Sequence, residues 1–417
     1  MKVPNLTIRT LLVFIWCTGF LVNCSSVRTI DFETPVDTSN RQISLQSKQV
    51  HFEETLNIFV DNTFDGARVN GIEKVNDSTI KAIIAPENEP INKSPYYAFK
   101  VWSQKPQKVY VSLDYPKGYK HRYAPKIKEK SKEWELLDST KIHSIDSLVT
   151  LELFLDDEPL TIAAQELQTS THVKDWYQKL LTDNPYAESF IYGRSKMGRE
   201  LPVLDIYIEE KKSKPIVVLL TRQHPPEVTG FLAFKAFLET ILDGSELSQA
   251  FLDQYRVLAF PILNPDGVDL GQWRHNAGGV DTNRDWAKYR QPEIRQTVDF
   301  IEEQLKKDKA KVVLGLDFHS TYKDVFYTNT SLENVSIPDF EAKWFAALEA
   351  NIPGYKVNRS PGNSSKPVSK GWFLKRHRAV GITYEIGDDT PRQRISTMGR
   401  ISAQEMMKIL RSNTNLN

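Results

Sequence analysis

Short apolar runs with a period of two dominate the first part of the chain after about residue 50. Four of these runs span residues 79–84, 96–102, 108–113 and 148–154. Alternation of this kind is typical of strands that bury one face. Turn residues such as Pro116 and Gly118 separate the runs. We therefore predict a small antiparallel β-sandwich over residues 51–165.

The pattern changes from residue 166 onward, where strongly apolar segments alternate with segments of helical period. The predicted strands span 215–220, 257–263, 312–317 and 381–385, and the predicted helices span 173–181, 228–242, 292–307, 337–350 and 401–410. Near-continuous apolar strands between helices indicate a sheet buried on both faces. The fold prediction for residues 166–417 is therefore an α/β domain with a mostly parallel mixed sheet covered by helices.

The N-terminus has the pattern of an export signal. Lys2 and Arg9 precede the apolar run 11–22, which is too short for a comfortable membrane span. Residues 21–24 fit a bacterial lipobox ending at Cys24, although Asn23 is larger than usual. We predict a lipoprotein-type signal peptide over 1–24 and a polar tether over 25–50. A simple secretory signal and a retained anchor are the alternatives. The expected location is the periplasm, the outer membrane through a lipid on Cys24, or the medium.

Composition excludes several classes of protein. The sequence has 54 Lys and Arg against 53 Asp and Glu, a net charge of +1, so a dedicated duplex nucleic-acid binder is not expected. The two cysteines, Cys17 and Cys24, both lie in the predicted signal. The rest of the chain therefore has neither a disulfide framework nor a cysteine-ligated zinc site.

Candidate metal ligands follow two of the predicted strands. His224 and Glu227 stand three residues apart just after strand 215–220, and His319 lies just past strand 312–317. Sites in open α/β sheets collect beyond the carboxyl ends of strands. Imidazole and carboxylate groups are suitable zinc ligands. His-x-x-Glu alone is weak evidence, and Asp317 reads either as a strand-end carboxylate or as a partner of His319.

A Gly-rich segment between these ligands carries two arginines. Within residues 264–286, Arg274 and Arg284 flank a Gly-rich turn, and Asn283 precedes Arg284. An arginine keeps its charge and offers a planar fork that suits a carboxylate or an oxyanion. One arginine can face the oxyanion of a tetrahedral intermediate, and an Asn-Arg pair can hold a terminal carboxylate. The same residues also suit an ordinary surface loop.

Taken together and in this order, the blocks resemble the zinc metallocarboxypeptidases of the carboxypeptidase A type. Residues 192–204 are similar to the family's opening hairpin, and residues 264–267 and 279–286 follow in its order. The resemblance covers roughly residues 170–410. The cytosolic-carboxypeptidase-like branch is the most similar one, because it carries a β-sandwich before the catalytic domain. Residues 96–99, 115–118 and 122–125, with Trp134, are similar to that sandwich.

The resemblance implies a set of roles. His224, Glu227 and His319 would hold one Zn²⁺ per chain, which leaves a fourth position for water. Glu385 would be the general base, Arg274 would face the oxyanion, and Asn283 and Arg284 would bind the terminal carboxylate of a peptide or protein substrate. The family's mobile tyrosine has no counterpart in residues 359–370. Neither Tyr355 nor Tyr384 is nominated in its place.

Substrate preference is open at this level. Five basic residues precede Glu385 in the segment where the family forms its specificity pocket: Lys366, Lys370, Lys375, Arg376 and Arg378. They predict either a pocket for an acidic terminal residue or a solvated helix face. Two other functions remain as alternatives to a carboxypeptidase: a cell-wall amidase that cleaves peptidoglycan stem peptides, and a non-catalytic binding module.

Overall fold

The computed structural model describes residues 27–145 and 148–413. The predicted signal peptide of residues 1–24 and the lipidation of Cys24 lie outside the described residues and stay predictions. Among the helices that are described, none is both long and apolar enough to cross a bilayer.

The first domain is built from two sheets. Its strands are β1 (Val50–Glu53), β2 (Ile58–Asp61), β3 (Gly71–Asn76), β4 (Thr79–Ile83), β5 (Ala98–Ser103), β6 (Gln107–Asp114), β7 (Lys126–Lys128), β8 (Glu135–Leu136), β9 (Ile142–Ile145), β10 (Leu148–Leu155) and β11 (Leu160–Ala163). One sheet has the order β1-β2-β5-β11-β7-β8, and the other has the order β3-β4-β6-β10-β9. The neighbours are antiparallel except β4 and β6.

Alternating side chains explain why these strands form a sandwich. Along β10, Val149, Leu151 and Leu153 are buried, whereas Leu148 and Phe154 point outward and are exposed. One face of each sheet therefore packs into a shared apolar core, as period-two patterning requires. The predicted β-sandwich is confirmed, with one parallel pair that the sequence does not indicate.

The second domain is built around one mixed sheet. Its strands are β12 (Ala187–Arg194), β13 (Glu200–Ile206), β14 (Ile216–Thr221), β15 (Arg256–Phe260), β16 (Val312–Thr321), β17 (Val325–Thr328), β18 (Arg359–Pro361) and β19 (Val380–Gly387). Its helices are α1 (Ser170–Thr182), α2 (Val228–Ile241), α3 (Glu246–Gln254), α4 (Pro265–Asp269), α5 (Pro292–Asp308), α6 (Phe340–Asn351), α7 (Ser369–His377) and α8 (Arg392–Arg411). The strand order is β12-β13-β15-β14-β16-β19-β17-β18.

Four neighbouring strands, β15, β14, β16 and β19, are parallel and form the centre of this sheet. Every residue of β14 and β15 is buried, as expected of strands covered by helices on both faces. The predicted α/β fold with a mixed sheet is therefore confirmed. Because the central strands are parallel, their carboxyl ends meet at one edge of the sheet.

Some helices differ from the predictions. The last helix begins at Arg392, nine residues before the predicted start at 401, because its first turn is polar and hides the apolar period. Three short helices, α3, α4 and α7, are not predicted at all. The first two have only nine and five residues, and α7 mixes basic residues with Trp372 and Phe373, so it has no clear apolar stripe.

The segment of residues 27–49 has no helix or strand, as a polar tether should, but it lies against the second domain. Ile30 N donates to Ala287 O at 3.1 Å, and Thr38 Oγ1 donates to Asp285. The ring of Phe32 is buried, beneath the ammonium group of Lys375. This part of the predicted tether is therefore packed along the domain surface. The predicted domain boundary at 165/166 falls between the end of β11 and the start of α1.

Candidate metal centre and substrate cavity

The three predicted metal ligands lie at the carboxyl edge of the central sheet. His224 and Glu227 belong to the turn that joins β14 to α2, and His319 lies near the end of β16, the parallel neighbour of β14. Glu227 is the residue immediately before the first residue of α2. All three side chains are buried. The sheet therefore brings together residues that are 92–95 positions apart.

The donor atoms of this triad converge on one point. Nδ1 of His224 lies 2.8 Å from Glu227 Oε1 and 3.2 Å from Nδ1 of His319, which lies 2.6 Å from Glu227 Oε2. Zinc bonds of ~2.0–2.1 Å in a tetrahedron place neighbouring donor atoms roughly 3.3 Å apart. The two-imidazole, one-carboxylate set therefore fits zinc in its chemistry and nearly in its spacing.

Each histidine also meets a carboxylate at its other ring nitrogen. His224 Nε2 lies 2.9 Å from Asp281 Oδ1, and His319 Nε2 lies 2.8 Å from Asp317 Oδ2. Carboxylates in this position orient metal-binding imidazoles and fix which nitrogen faces the metal. Sequence reasoning left the role of Asp317 open and did not single out Asp281, because no local pattern links residue 281 to His224.

A glycine allows α2 to approach the ligand strand. A Cβ atom on Gly230 would lie 2.3 Å from the carbonyl oxygen of His319. The amide of Gly230 also donates to Ser320 Oγ at 2.8 Å. This close packing of helix against strand holds the His224–Glu227 turn above β16, so a larger residue at position 230 would push the ligands apart.

Glu385 lies on β19 directly beside His319 in the parallel register. Its Oε2 atom is buried and has no hydrogen-bond partner within the described protein. Burial and the charge of Glu227 raise the pKa of Glu385 to about 8, against the opposing charges of His319 and Arg274. An orphaned carboxylate oxygen next to the triad is free to meet a group that the site binds.

Arg274 is tied to the metal triad through Asp281. Asp281 Oδ2 accepts from Nε and Nη2 of Arg274 at 2.8 Å each, while its Oδ1 faces His224. Burial favours the neutral acid, but the charges of Arg274, Arg284 and His224 hold the pKa of Asp281 well below its usual value. A single ionised carboxylate therefore fixes both a metal-ligand ring and a guanidinium.

Asn283 and Arg284 lie in a short 3-10 turn over Thr282–Arg284. The amide of Asn283 is engaged: its Oδ1 accepts from Ser369 N at 3.0 Å, and its Nδ2 lies 3.3 Å from His319 Nε2. Arg284 donates to Asn283 O at 2.7 Å and keeps 27% of its side chain exposed. Of the two, Arg284 has the more accessible polar group.

All seven predicted site residues line one cavity of about 210 Å³. The other lining residues are Asn92, Arg122, Ser320, Thr321, Tyr327, Asn363, Val368, Lys370 and Thr383. A second cavity, of about 380 Å³, shares Asn92, Arg274 and Arg284 with the first and extends toward the segment 36–41. The structure thus joins strand ends and the arginine loop around one space.

The first domain contributes residues that sequence reasoning missed. Arg122 Nε donates to Asp388 Oδ2 at 2.9 Å, and its Nη1 donates to Ser94 Oγ at 2.6 Å. Its guanidinium carbon also lies 4.5 Å from the ring centroid of Tyr322. Arg122 was part of a motif similar to the cytosolic branch, but that motif did not reveal that it reaches a loop 266 residues away.

Among the five basic residues of the predicted specificity segment, Lys370 is the one that lines this cavity. Its Nζ donates to Gly362 O at 2.6 Å and to Thr328 O at 3.1 Å. Arg376 instead pairs with Glu302 at 2.7 Å, and Lys375 covers Phe32.

Tyrosines offer one candidate for contact with substrate. Tyr355 and Tyr384 are both buried in the core, so neither replaces the family's mobile tyrosine. Tyr327 lines the cavity from β17, opposite Thr383 in the antiparallel register. Sequence reasoning missed Tyr327 because it lies far from the segment in which the family's mobile tyrosine is expected.

Comparison with known proteins places this site in a family. The profile of the zinc carboxypeptidase family matches residues 173–396, which include every residue of the metal triad and Glu385. The chain belongs to the zinc carboxypeptidase family. The match begins within α1 and ends within α8, so it covers the mixed sheet and leaves the β-sandwich outside.

Relatives support both this assignment and the two-domain architecture. Human cytosolic carboxypeptidase 2 is 37% identical over 114 residues, which are 27% of this chain and 12% of that protein. A metallo-carboxypeptidase from Pseudomonas aeruginosa, solved with (2-guanidinoethylmercapto)succinic acid, superposes with a TM-score of 0.69 at 18% identity. This superposition covers 86% of this chain and 100% of the Pseudomonas chain. A metallo-carboxypeptidase from Burkholderia cenocepacia superposes with a TM-score of 0.70 at 15% identity. That superposition covers 85% of this chain and 99% of the Burkholderia chain.

Proposed function

We propose that this member of the zinc carboxypeptidase family is a zinc-dependent hydrolase that releases the C-terminal residue of peptides. The observation that carries the proposal is the shared cavity: the His224–Glu227–His319 triad, the orphaned oxygen of Glu385 and two arginines all line it. A metal, a proton acceptor and fixed positive charges are what hydrolysis of a terminal amide requires.

The triad is assigned to zinc because its donor set and spacing suit that ion. Bound zinc supplies a Lewis acid that polarises a carbonyl and lowers the pKa of water at the open position. The cation would also favour the ionised form of the adjacent Glu385, whose pKa burial otherwise raises. Asp281 and Asp317 contact Nε2 of the two imidazoles, so Nδ1 of each histidine would be left to bind the ion.

Four residues of the chain have separate roles in the reaction. Glu385 accepts a proton from the attacking water and delivers it to the leaving amine. Arg274, held by Asp281, donates to the oxygen that becomes negative as the carbonyl carbon turns tetrahedral. Arg284, with Asn283 beside it, binds the free carboxylate of the residue released. That contact sets the register of cleavage at the end of the chain.

Lys370 supports a preference for acidic C-terminal residues. Lys370 lines the cavity. The three hydrogen-bond acceptors of its ammonium group are uncharged oxygens, and no carboxylate within the described residues forms an ion pair with it. The charge of Arg122, by contrast, is matched by Asp388. A buried cation without a counter-ion stabilises a negatively charged side chain nearby.

Metal analysis combined with peptide cleavage tests the proposal. The purified protein should hold about one zinc per chain, and mass spectrometry should show loss of single C-terminal residues. His319→Ala should abolish both. His143→Ala is the matched control, because His143 is exposed on β9 of the sandwich.

Muropeptide substrates separate the proposal from the cell-wall amidase alternative. Internal or stem-peptide cleavage without terminal release from plain peptides would favour the amidase. A protein that binds zinc but hydrolyses neither substrate would support the non-catalytic binding module. Activity that survives complete removal of metal would contradict the proposal itself.

A further inference from the structure

The loop that carries Arg274 is held by a residue of the other domain. Residues 270–281 connect α4 to the Thr282–Arg284 turn and contain neither helix nor strand. Its own domain holds part of this loop, since Asn264 Nδ2 donates to His275 O at 3.1 Å and Asn276 Nδ2 donates to Glu293 Oε2 at 2.9 Å. The backbone amide of Arg274 itself takes its partner from the first domain.

Glu87, which lies in the sandwich domain between β4 and β5, supplies this partner. Its Oε2 accepts from Trp273 N at 2.8 Å, and its Oε1 accepts from Arg274 N at 3.0 Å and from His275 N at 2.7 Å. One fully buried carboxylate thus binds three consecutive backbone amides. Hydrogen bonds to an ionised acceptor are roughly twice as strong as neutral ones.

Further polar contacts surround Glu87 and the loop. Arg68 Nη2 lies 3.6 Å from Glu87 Oε2, and both side chains are buried. Asn88 Oδ1 lies 2.6 Å from His275 Nδ1, and Asn88 Nδ2 donates to Gly279 O at 3.1 Å. The sandwich therefore contacts the loop on both sides of the arginine.

A purely structural role for Glu87 is less suited to this arrangement. Trp273 is fully buried within the sandwich core, where its ring meets that of Tyr119 edge to face, with centroids 5.1 Å apart. The loop is thus already anchored to the sandwich by an apolar side chain. What the carboxylate adds is the orientation of the peptide units on either side of Arg274.

We propose that Glu87 is a positioning residue for catalysis, because it orients the backbone from which Arg274 reaches the substrate carbonyl. This inference rests on the proposed function, specifically on the role of Arg274. A donor to a developing charge is effective only when it is preorganised, and a displacement of ~1 Å can cost ~10²-fold in rate. Through Glu87, the sandwich domain then contributes to the reaction, although Glu87 does not touch the substrate.

Glu87→Asp tests the inference. Aspartate keeps the charge beside Arg68 but is one methylene shorter, so it cannot reach all three amides. We expect kcat to fall by ~10-fold or more with KM within ~3-fold, since the affected contact forms in the transition state. Zinc content and the cooperative thermal transition should remain.

A double-mutant cycle with Arg274→Ala distinguishes positioning from general damage to the fold. If Glu87 acts through Arg274, Glu87→Asp should lower kcat by less than ~2-fold in the Arg274→Ala background. An equal loss in both backgrounds would overturn the inference, as would wild-type kcat in Glu87→Asp. Wild-type kcat in Arg274→Ala would overturn it too, and that result would locate the failure in the proposed function.

Arg68→Gln is the matched control. It removes the ion pair with Glu87 but leaves the three amide bonds, so it should lower the melting temperature and preserve kcat. If Glu87→Asp does not fold by circular dichroism, Glu87→Gln with Arg68→Gln removes both buried charges together. The effect of Glu87→Gln on kcat is then measured in the Arg68→Gln protein, with and without Arg274→Ala. A loss of kcat only when Arg274 is present supports the inference, and an equal loss in both overturns it.

Discussion

The two halves of the candidate site are held in place by different means. His319 and Glu385 are paired on neighbouring parallel strands, so hydrogen bonds of the sheet set their spacing, and His224 follows closely on the end of the adjacent strand β14. Arg274 and Arg284 instead lie on a loop that the first domain contacts. The strand half is therefore a property of the α/β domain, whereas the loop half depends on how two domains pack.

Asp281 is the point at which the halves meet. Its two oxygens face His224 and Arg274, and no other side chain in the described structure contacts both residues through hydrogen bonds. From this difference we expect that substitutions among His224, His319 and Glu385, the strand half, affect metal binding and proton transfer. Changes in the loop half should affect charge stabilisation and substrate register while zinc stays bound.

The largest effect is expected in the strand half at Glu385. Glu385→Gln keeps the shape of the side chain but cannot accept a proton, so kcat should fall by ~10²–10⁴-fold. Zinc content should stay at the wild-type level, because the three ligands are untouched. Steady-state kinetics and metal analysis measure the two quantities. Asp389→Asn, an exposed neighbour, is the control, and wild-type turnover in Glu385→Gln would place the base elsewhere.

The next effect concerns the loop half and the substrate carboxylate. Amidating the C-terminus of a peptide should lower kcat/KM by at least ~10²-fold, the equivalent of a charge-assisted contact of roughly 2–3 kcal/mol. Arg284→Ala should remove most of this discrimination. Arg290→Ala should not, because Arg290 is exposed and pairs with Asp37. Equal cleavage of free and amidated peptides by the wild type would argue against a carboxypeptidase.

A comparison of two aspartates tests the link between the halves. Asp317→Asn and Asp281→Asn should each weaken zinc binding by ~10–100-fold, because each carboxylate orients a ligand histidine. At saturating zinc, Asp317→Asn should recover most of its kcat. Asp281→Asn should not, since it also releases Arg274. Chelator competition gives the affinities, and full recovery of both variants would show that Asp281 does not join the halves.

The smallest expected effect concerns side-chain preference. Burial lowers the pKa of Lys370 to about 8, and Glu341, itself paired with Arg359, partly opposes the change. Lys370 is charged below this pH and neutral above it. The ratio of kcat/KM for Glu-terminated over Leu-terminated peptides should therefore fall by ~10-fold as the pH rises through that value.

Taking the ratio cancels titrations that affect both substrates equally. Lys370→Met should give a low ratio that does not change with pH. Lys375→Met, whose parent side chain covers Phe32 outside the cavity, should behave as wild type. A ratio that stays high and flat in the wild type would rule out Lys370 as the source of the preference.

Sequence reasoning succeeded where short-range order fixes the result. The run 215–220 is apolar throughout, so it forms a buried strand, and His224 and Glu227 must then follow at its carboxyl end. The same argument holds for His319 on β16 and Glu385 on β19. In a parallel sheet these ends share one edge, so the metal ligands could be brought together without knowing the strand order.

Sequence reasoning was less informative where the outcome depends on which way a side chain points. The basic residues of 366–378 have no clear period, and the short helix α7 divides them between the cavity and the surface. Lys370 lies in the first turn of α7 and faces inward, whereas Arg376 lies in the last turn and pairs with Glu302. The direction in which each side chain points from α7 decided what composition alone left open.

By itself, the sequence predicted two domains and the His224–Glu227–His319 cluster, and it determined the apolar strands, because each follows from local periodicity or from motif order. Only the tertiary structure decided what holds Arg274. Glu87 binds the amide of a residue 187 positions away, and Arg122 binds Asp388 across 266 positions. Neither pair has a local signature, since a buried carboxylate or guanidinium finds its partner only when two separately folded surfaces come together.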